Sequence, residues 1–346
     1  MTSTCALGAA RWPRSAIVAA LTLTALCARQ PSEAQTAAPA PPAADQVVQA
    51  LEGNFGVHAG QRRNHTKGSC AIGEFKGLPA AGRYTRAAIF HGQVIPVVAR
   101  FSLPGGNPNA PDTARTPRGL AMELRLPDGK RQHFTLLNTP MFGAATPQTF
   151  LDNLLATRAD PATGKPDPAK VAAFRRTHPD SQAQADYLAH HRPPPSWART
   201  TYYGIHTFVL TRQDGQTTPA RWRFVPEDGE AELSEHELGT LPHDFLESRL
   251  IARTRQGPVR WHMLLTIGQP GDPQDNATLP WPADRTEVEV ATLSITQATP
   301  QKGAACETIN FDPLVMVDGL SPSQDPVLLF RSPAYAVSFG RRLNGQ

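Results

Sequence analysis

The chain has 346 residues, and its 34 Lys and Arg against 30 Asp and Glu give a formal net charge of only +4. Because the basic residues form no polybasic run, the sequence gives no support for nucleic-acid binding. The four cysteines form no Cys-x-x-Cys or Cys-x-x-Cys-His motif, which excludes c-type haem attachment and a four-cysteine zinc site. No Gly-x-Gly-x-x-Gly motif or phosphate-binding loop occurs, so nucleotide cofactors are also unsupported.

The N-terminus has the pattern of a secretory signal peptide, which we place at residues 1–34. Arg11 and Arg14 precede the uncharged run 15–28, which is too short to span a bilayer. An Ala- and Pro-rich tether follows at 35–45. A permanent membrane anchor is the alternative. The pattern favours a protein that is periplasmic or secreted and has no stable membrane anchor. The excess of Arg over Lys, with 34 Pro and abundant Ala, suggests a GC-rich bacterial genome.

The residues that follow, 46–342, predict one α+β domain. Alternating or β-branched segments predict strands at 87–103, 120–126, 131–139, 200–212, 220–226, 259–268 and 287–296. Helical patterns occur at 149–159, 168–178 (with Asp167 as its cap), 181–191, 232–253 and near the C-terminus. Antiparallel strands with helices inserted between them predict an antiparallel β-barrel or a strongly curved sheet, with inserted and C-terminal helices.

Cys70 and Cys306 are the two cysteines that remain once a signal peptide is removed. In an oxidising compartment they could pair, and two isolated buried thiols are an equal alternative, because the sequence does not give their geometry.

The C-terminal segment 325–342 places Arg331 four residues before Tyr335, a spacing that brings both side chains to one face of a helix. A guanidinium beside a phenol oxygen favours the phenolate, and a phenolate is a ligand of haem iron. Pro333 lies between the two residues and lacks an N–H group. Either the helix kinks there, or Pro333 lies in its first turn.

Five segments carry a common pattern in a fixed order: RRNHTKGSCAIGEF (62–75), ARFSLPGGNPNAPDTARTPRGLAMEL (99–124), LLNTPMF (136–142), YYGIHTF (202–208) and DPVLLFRSPAYAVSFGRR (325–342). Together they resemble the haem catalases, specifically the small exported catalase-related peroxidases that keep only the catalase core. The resemblance implies a catalase-core β-barrel that binds haem b (iron protoporphyrin IX). Taken singly, each residue also has a structural explanation, so the interpretation depends on their joint occurrence.

On one side of the haem, the resemblance implies that His65 is the acid–base residue and Ser102 its hydrogen-bond partner. An imidazole can take a proton from peroxide and return it, since its ordinary pKa near 6.5 suits both steps. On the other side, Tyr335 is implied as the ligand of the iron. Arg331, His206 and Asp325 match the network that supports this tyrosine.

Haem propionates are anionic and need guanidinium partners, for which Arg has better geometry than Lys. The matching positions are Arg62, Arg100 and Arg342, and Phe142 is expected to pack on or beside the porphyrin. The adjacent pair His190 and His191 has no carboxylate or Cys cluster near it in the sequence, so we expect surface histidines there.

Besides Pro333, two departures from the family pattern narrow the predicted activity. Full catalases carry an Asn directly before the Asn-Thr-Pro segment, where this chain has Leu137, and an acidic channel residue where it has Thr116. Leu137 offers no hydrogen bond to peroxide, so we expect a lower rate of oxidation of a second peroxide, the step that defines a catalase.

The sequence therefore predicts a haem peroxidase that reduces hydrogen peroxide or small organic hydroperoxides with an unidentified organic electron donor, as a monomer or homodimer. Residual catalase activity should be weak. The alternatives are a hydroperoxide isomerase or peroxygenase on the same fold, and a haem carrier or sensor without turnover.

Overall fold

The computed structural model describes residues 40–345, in which strands and helices follow one another along the chain. The strands are β1 Gly68–Gly77, β2 Val94–Ser102, β3 Gly119–Arg125, β4 Arg131–Leu137, β5 Tyr202–Thr211, β6 Thr217–Pro226, β7 Val259–Ile267, β8 Glu287–Pro300 and β9 Leu320–Pro322. The helices are α1 Ala44–Phe55, α2 Pro147–Ala156, α3 Pro168–Thr177, α4 Gln182–His190, α5 Glu235–Thr240, α6 Leu246–Arg255 and α7 Pro326–Leu343.

The strands pair antiparallel in the order β4-β3-β2-β1-β8-β7-β6-β5, with β9 added beside β5. A further pairing of Leu137 on β4 with Tyr203 on β5 closes this sheet into an eight-stranded barrel. Closure leaves no open edge among these strands. The predicted α+β fold with an antiparallel β-barrel is confirmed.

Strand β2 shows how the barrel separates its core from its outer face. Successive strand residues point to opposite faces, and Ala99 and Phe101 belong to the buried core inside the barrel. Arg100 and Ser102 therefore lie on the outer face, although both are buried. Other elements must cover this face, and polar groups held there can serve a site.

Strand β1 and helix α1 were not predicted. β1 contains Gly68, Gly73 and Gly77, and glycine weakens a strand. It pairs with β2 and β8 along its length, so tertiary contacts override the low propensity. At Gly73 the pairing with β8 shifts register, and a Cβ there would lie 2.1 Å from the Ser294 carbonyl oxygen.

Two segment predictions need correction. The strand predicted at 87–103 begins only at Val94, because a short 3₁₀ turn and Gly92, with φ of 87°, precede it. The helix predicted at 232–253 is two helices, α5 and α6, which are separated by residues 241–245, Pro242 among them. The predicted Asp167 cap is confirmed, since its carboxylate accepts a hydrogen bond from Ala169 N.

The predicted signal peptide and residues 35–39 of the tether lie outside the described residues. Helix α1 begins at Ala44, so the last residues assigned to the tether are helical. Within residues 40–345, no helix has the length and apolarity needed to cross a membrane.

Candidate functional site

A cavity of about 360 Å³ lies between the outer face of β2 to β5 and helices α1, α2 and α7. All but one of the predicted site residues line it: Arg62, His65, Arg100, Ser102, Phe142, His206, Arg331, Tyr335 and Arg342. The exception, Asp325, is fully buried and bonds to His206. The fold thus gathers residues from across the sequence into one site.

His65 is fixed in an unusual backbone conformation. Its φ is 56°, in the left-handed region that non-glycine residues seldom occupy. Asn64 Oδ1 stabilises this turn by accepting hydrogen bonds from the backbone N–H groups of His65 (2.9 Å) and Gly105 (2.7 Å). The side chain is oriented by Ser102, whose Oγ lies 2.9 Å from His65 Nδ1. Nε2 remains for a substrate.

The surroundings of His65 keep its imidazole neutral. Burial, together with the positive charges of Arg100, Arg331 and Arg62, lowers the pKa of His65 to about 3. A neutral imidazole can accept a proton at Nε2 at physiological pH. The histidine is therefore suited to act first as a base.

Gly119, at the start of β3, leaves room for this pair. A Cβ at position 119 would lie 2.8 Å from Ser102 Oγ and 3.0 Å from His65 Nδ1. We expect Gly119→Ala to push the imidazole aside and to lower peroxidase kcat/KM by about 10²-fold, the cost of misplacing a reacting group by 1 Å. Steady-state kinetics check this, with Gly239→Ala as control because nothing lies within 4 Å of a Cβ there. An active Gly119→Ala enzyme would contradict it.

Helix α7 brings Arg331 and Tyr335 together as their spacing predicts. Arg331 Nη2 donates a hydrogen bond to Tyr335 Oη at 2.7 Å, and the guanidinium carbon lies 5.4 Å from the centre of the tyrosine ring. Pro333 lies well inside the helix rather than in its first turn, and the helix is assigned continuously through it. The Leu329 carbonyl receives no hydrogen bond from position 333, since proline has no N–H.

Asp325 connects this helix to His206. One carboxylate oxygen caps α7 by accepting from Val327 N (2.8 Å) and Leu328 N (3.2 Å). The other accepts a hydrogen bond from His206 Nδ1 at 2.7 Å. Burial lowers the pKa of His206 despite the opposing effect of Asp325. His206 is neutral, and among the described residues its buried Nε2 has no hydrogen-bond partner.

Three guanidinium groups meet at one side of the cavity, on Arg62, Arg100 and Arg342. Within residues 40–345 none of them forms a salt bridge, and burial together with the neighbouring arginines lowers the pKa of Arg62 and of Arg100. Both terminal nitrogens of Arg342 are buried without a partner in the described part of the chain. Buried cations with unused donors need an anion.

The cavity therefore fits a haem. Phenol and imidazole side chains enter it from different elements. Its guanidinium groups make no salt bridge among the described residues and could bind anionic propionates, and much of the remaining wall is apolar. The apolar residues include Val47, Val48, Leu51, Phe55, Phe142, Phe150, Leu154, Phe330 and Phe339. This combination suits an amphipathic ring with an iron centre and two carboxylates.

Part of this wall was missed at the sequence level. Val47, Val48, Leu51 and Phe55 come from α1, and their spacing of three and four residues is a helical signal that could have revealed it. His191 is exposed and stacks on Tyr187, as a surface histidine would. Among the described residues no cluster of His, Cys, Asp and Glu forms a metal site.

Comparison with known proteins identifies the family. The family model described as Catalase matches residues 52–346. The chain belongs to the catalase family. It is 55% identical over 301 residues to a catalase-related peroxidase of Synechococcus elongatus, covering 87% of this chain and 89% of that relative. A catalase-related peroxidase of Mycolicibacterium paratuberculosis is 32% identical over 295 residues, covering 85% and 93%.

The catalase fold is also seen in solved structures. Catalase A from Saccharomyces cerevisiae superposes with a TM-score of 0.77 at 22% identity, and the match covers 83% of this chain and 62% of the yeast chain. The likeness shows the fold, and the chain spans about three fifths of the length of this larger catalase.

The two departures from the catalase pattern occupy different surroundings. Leu137, at the end of β4, lines the cavity and offers it no polar atom. Thr116 is exposed and does not line the cavity, and its carbonyl oxygen accepts a hydrogen bond from Arg118 at 2.6 Å. The neighbouring Pro117 is the residue of this loop that reaches the wall.

Proposed function

We propose that this catalase-family protein is a haem b peroxidase that reduces hydrogen peroxide or small organic hydroperoxides with an organic electron donor. One observation carries the proposal: the His65–Ser102 pair and the Arg331–Tyr335 pair line the same cavity. The names of both catalase-related relatives agree with this activity.

When bound, haem supplies an iron centre that accepts the peroxide oxygen and exchanges electrons with it. Tyr335 Oη would bind the iron, and Arg331 would hold that oxygen in place through its hydrogen bond. Arg62, Arg100 and Arg342 would bind the propionates. His65 Nε2 would take a proton from one peroxide oxygen and return it to the other, which leaves as water, while the organic donor supplies the electrons for cleavage of the O–O bond overall.

The geometry around His65 favours an enzyme over a haem carrier. A carrier needs an axial ligand and a fitting pocket, and neither requires a strained histidine. A left-handed non-glycine residue costs about 1–3 kcal/mol. Asn64 and Ser102 hold His65 in that conformation, which is expected of a group that must meet a substrate.

The proposal is tested on the protein loaded with haem b. The ferric absorption spectrum should show a high-spin iron with a phenolate ligand, and peroxide with a chromogenic donor should be turned over in steady state. A protein that fails to bind haem stoichiometrically, or that binds it without turnover of either peroxide class, would overturn the proposal.

Leu137 is the residue to which we attribute weak catalase activity. Leu137→Asn should raise oxygen release from hydrogen peroxide by about tenfold, because a hydrogen bond in the transition state contributes about 1.4 kcal/mol. An oxygen electrode measures the change, alongside peroxidase turnover, which should change little. Leu155→Asn on the exposed face of α2 is the matched control. Equal oxygen release by the two variants would refute this role.

We also propose that the protein is exported to the periplasm or beyond the cell. Pairing of Cys70 with Cys306 supports this, because structural disulfides persist in oxidising compartments. Its assembly as a monomer or homodimer stays a prediction.

A further inference from the structure

The disulfide between Cys70 and Cys306 joins β1 to the segment 301–312, which we call the clasp loop. Of the two alternatives left open by the sequence, the structure has the paired one. Both cysteines are buried, and they form a small apolar cluster on the outer face of the barrel with Val98, Ile309 and Phe311. The link therefore lies on the same side of the sheet as the candidate haem cavity.

The clasp loop holds two of the cavity arginines. Arg62 Nη2 donates to the carbonyl oxygens of Cys306 (3.1 Å) and Ile309 (2.5 Å). Arg100 Nε donates to Gln301 Oε1 at 2.6 Å. The acceptors belong to a segment with no helix or strand of its own. The loop's position therefore helps to set where the guanidinium groups lie, together with the carbonyl oxygens of His65 and Thr66, which accept hydrogen bonds from Arg100 Nη2.

The disulfide attaches the clasp loop to β1, the strand that pairs with β2 beside Arg100. In the pairing of β1 with β2, Cys70 lies directly opposite Arg100. The same loop contributes Asn310 and Phe311 to the cavity wall, and Asp312 accepts a hydrogen bond from Ser332 on α7. One covalent link thus ties the arginine side of the cavity to the barrel.

We propose that the Cys70–Cys306 disulfide is a positioning element for the anion-binding arginines Arg62 and Arg100, and that its loss releases haem faster. The inference rests on the proposed function, since it takes the propionates of haem as the anions.

The need for such an element follows from charge. Arg62 is half-buried and Arg100 is buried. The two cations repel each other and Arg342, and this repulsion, added to the larger effect of desolvation, lowers the pKa of Arg62. Their hydrogen bonds to the clasp loop hold them together before any anion arrives. When the disulfide is cut, the loop keeps its apolar cluster, these bonds and the hydrogen bonds of Asp312 with Ser332 and His133, but it loses its covalent link to β1. The arginines can then separate, and the propionates lose part of their binding site.

The experiment compares the haem-loaded, disulfide-intact protein with the variant Cys70→Ser/Cys306→Ser. Peptide mapping by mass spectrometry first verifies the link in the wild-type protein. Haem dissociation is then followed by transfer to excess apomyoglobin, and the melting temperature of each haem-free protein is measured in parallel. We expect haem to leave the variant at least about tenfold faster, a factor that corresponds to 1.4 kcal/mol.

Two controls separate positioning from general stability. Leu250→Ala removes a fully buried core side chain of α6 that does not line the cavity; it should lower the melting temperature without faster haem release. Gln301→Ala keeps the disulfide but removes the partner of Arg100 Nε, and it should accelerate release to an intermediate degree. If the double variant does not fold, the folded wild-type holoprotein is reduced with a phosphine and its thiols are alkylated before the same measurement.

Unchanged haem release after loss of the disulfide would overturn the inference, even if the melting temperature falls. The inference would also be overturned if Leu250→Ala, for the same fall in melting temperature, released haem as fast as the double cysteine variant. Absence of the link in peptide mapping has the same consequence. None of these three results would contradict the proposed function, because the wild-type protein could still turn over peroxide. Failure of the wild-type protein to bind haem would instead overturn both the inference and the proposed function.

Discussion

His65→Ala is expected to lower kcat/KM for hydrogen peroxide by about 10²- to 10⁴-fold, the usual contribution of a positioned acid–base group. Nδ1 of this imidazole is engaged by Ser102 at 2.9 Å, so Nε2 is the nitrogen that would exchange a proton with peroxide. Alanine removes that nitrogen and leaves the arginines and Tyr335 in place. Haem content and the ferric spectrum should therefore stay close to those of the wild-type protein.

The control for this experiment is His91→Ala, because His91 is exposed and does not line the cavity. Kinetics with peroxide and a chromogenic donor, normalised to haem content, provide the measurement. Ser102→Ala should give a smaller loss, because it frees the imidazole to rotate without removing it. Wild-type turnover by His65→Ala would show that peroxide is activated without this residue, and the proposed role would be withdrawn.

The barrel was predictable where its strands are locally regular. The residues of β3 alternate, and a Pro-Asp-Gly-Lys turn joins this strand to β4. The observed bounds of the two strands therefore agree closely with the predicted hairpin. β1 was not predictable in this way, because its glycines carry no β signal and its stability comes from two neighbouring strands. Closure of the barrel through Leu137 and Tyr203 is a long-range pairing, and no local pattern specifies it.

The contacts of the candidate site also differ in how far the sequence predicts them, because some are local and others join distant residues. The Arg331–Tyr335 contact follows from helical spacing alone, and the structure has it despite the internal Pro333. The bond between His206 and Asp325 joins residues 119 positions apart, so only the family resemblance pointed to it. Neither local sequence patterns nor the family resemblance predicted the clasp loop. Backbone carbonyl oxygens of this loop accept the hydrogen bonds of Arg62, and their positions depend on the folded chain.

Asp325 joins helix α7 to His206 on β5. The same carboxylate caps the first turn of α7 and orients His206. A cap contributes about 0.5–2 kcal/mol to a helix, and here it also fixes where the helix begins relative to β5. The position of Tyr335 in the cavity is thereby set from the start of α7 as well as by its contact with Arg331.

Tyr335→Phe is the second variant from which we expect a large effect. It removes the oxygen that accepts the hydrogen bond from Arg331 Nη2 at 2.7 Å and that would bind the iron, while keeping the ring that packs in the cavity. Loss of a partner outside the ligand set typically costs 10- to 100-fold in metal affinity or activity. Loss of the ligand itself should lower peroxidase kcat/KM by at least about 100-fold.

Absorption and electron paramagnetic resonance spectra of the haem-loaded variant provide the decisive measurement, because a phenolate ligand gives a high-spin ferric signature that phenylalanine cannot. Haem should still enter the cavity, since the three arginines and the apolar wall remain, but it should dissociate faster. Tyr187→Phe is the matched control, on α4 and outside the cavity lining. Arg331→Gln should keep the phenolate signature in weakened form. A Tyr335→Phe protein with the wild-type spectrum would mean that another residue binds the iron, and it would remove the basis for placing the metal beside α7.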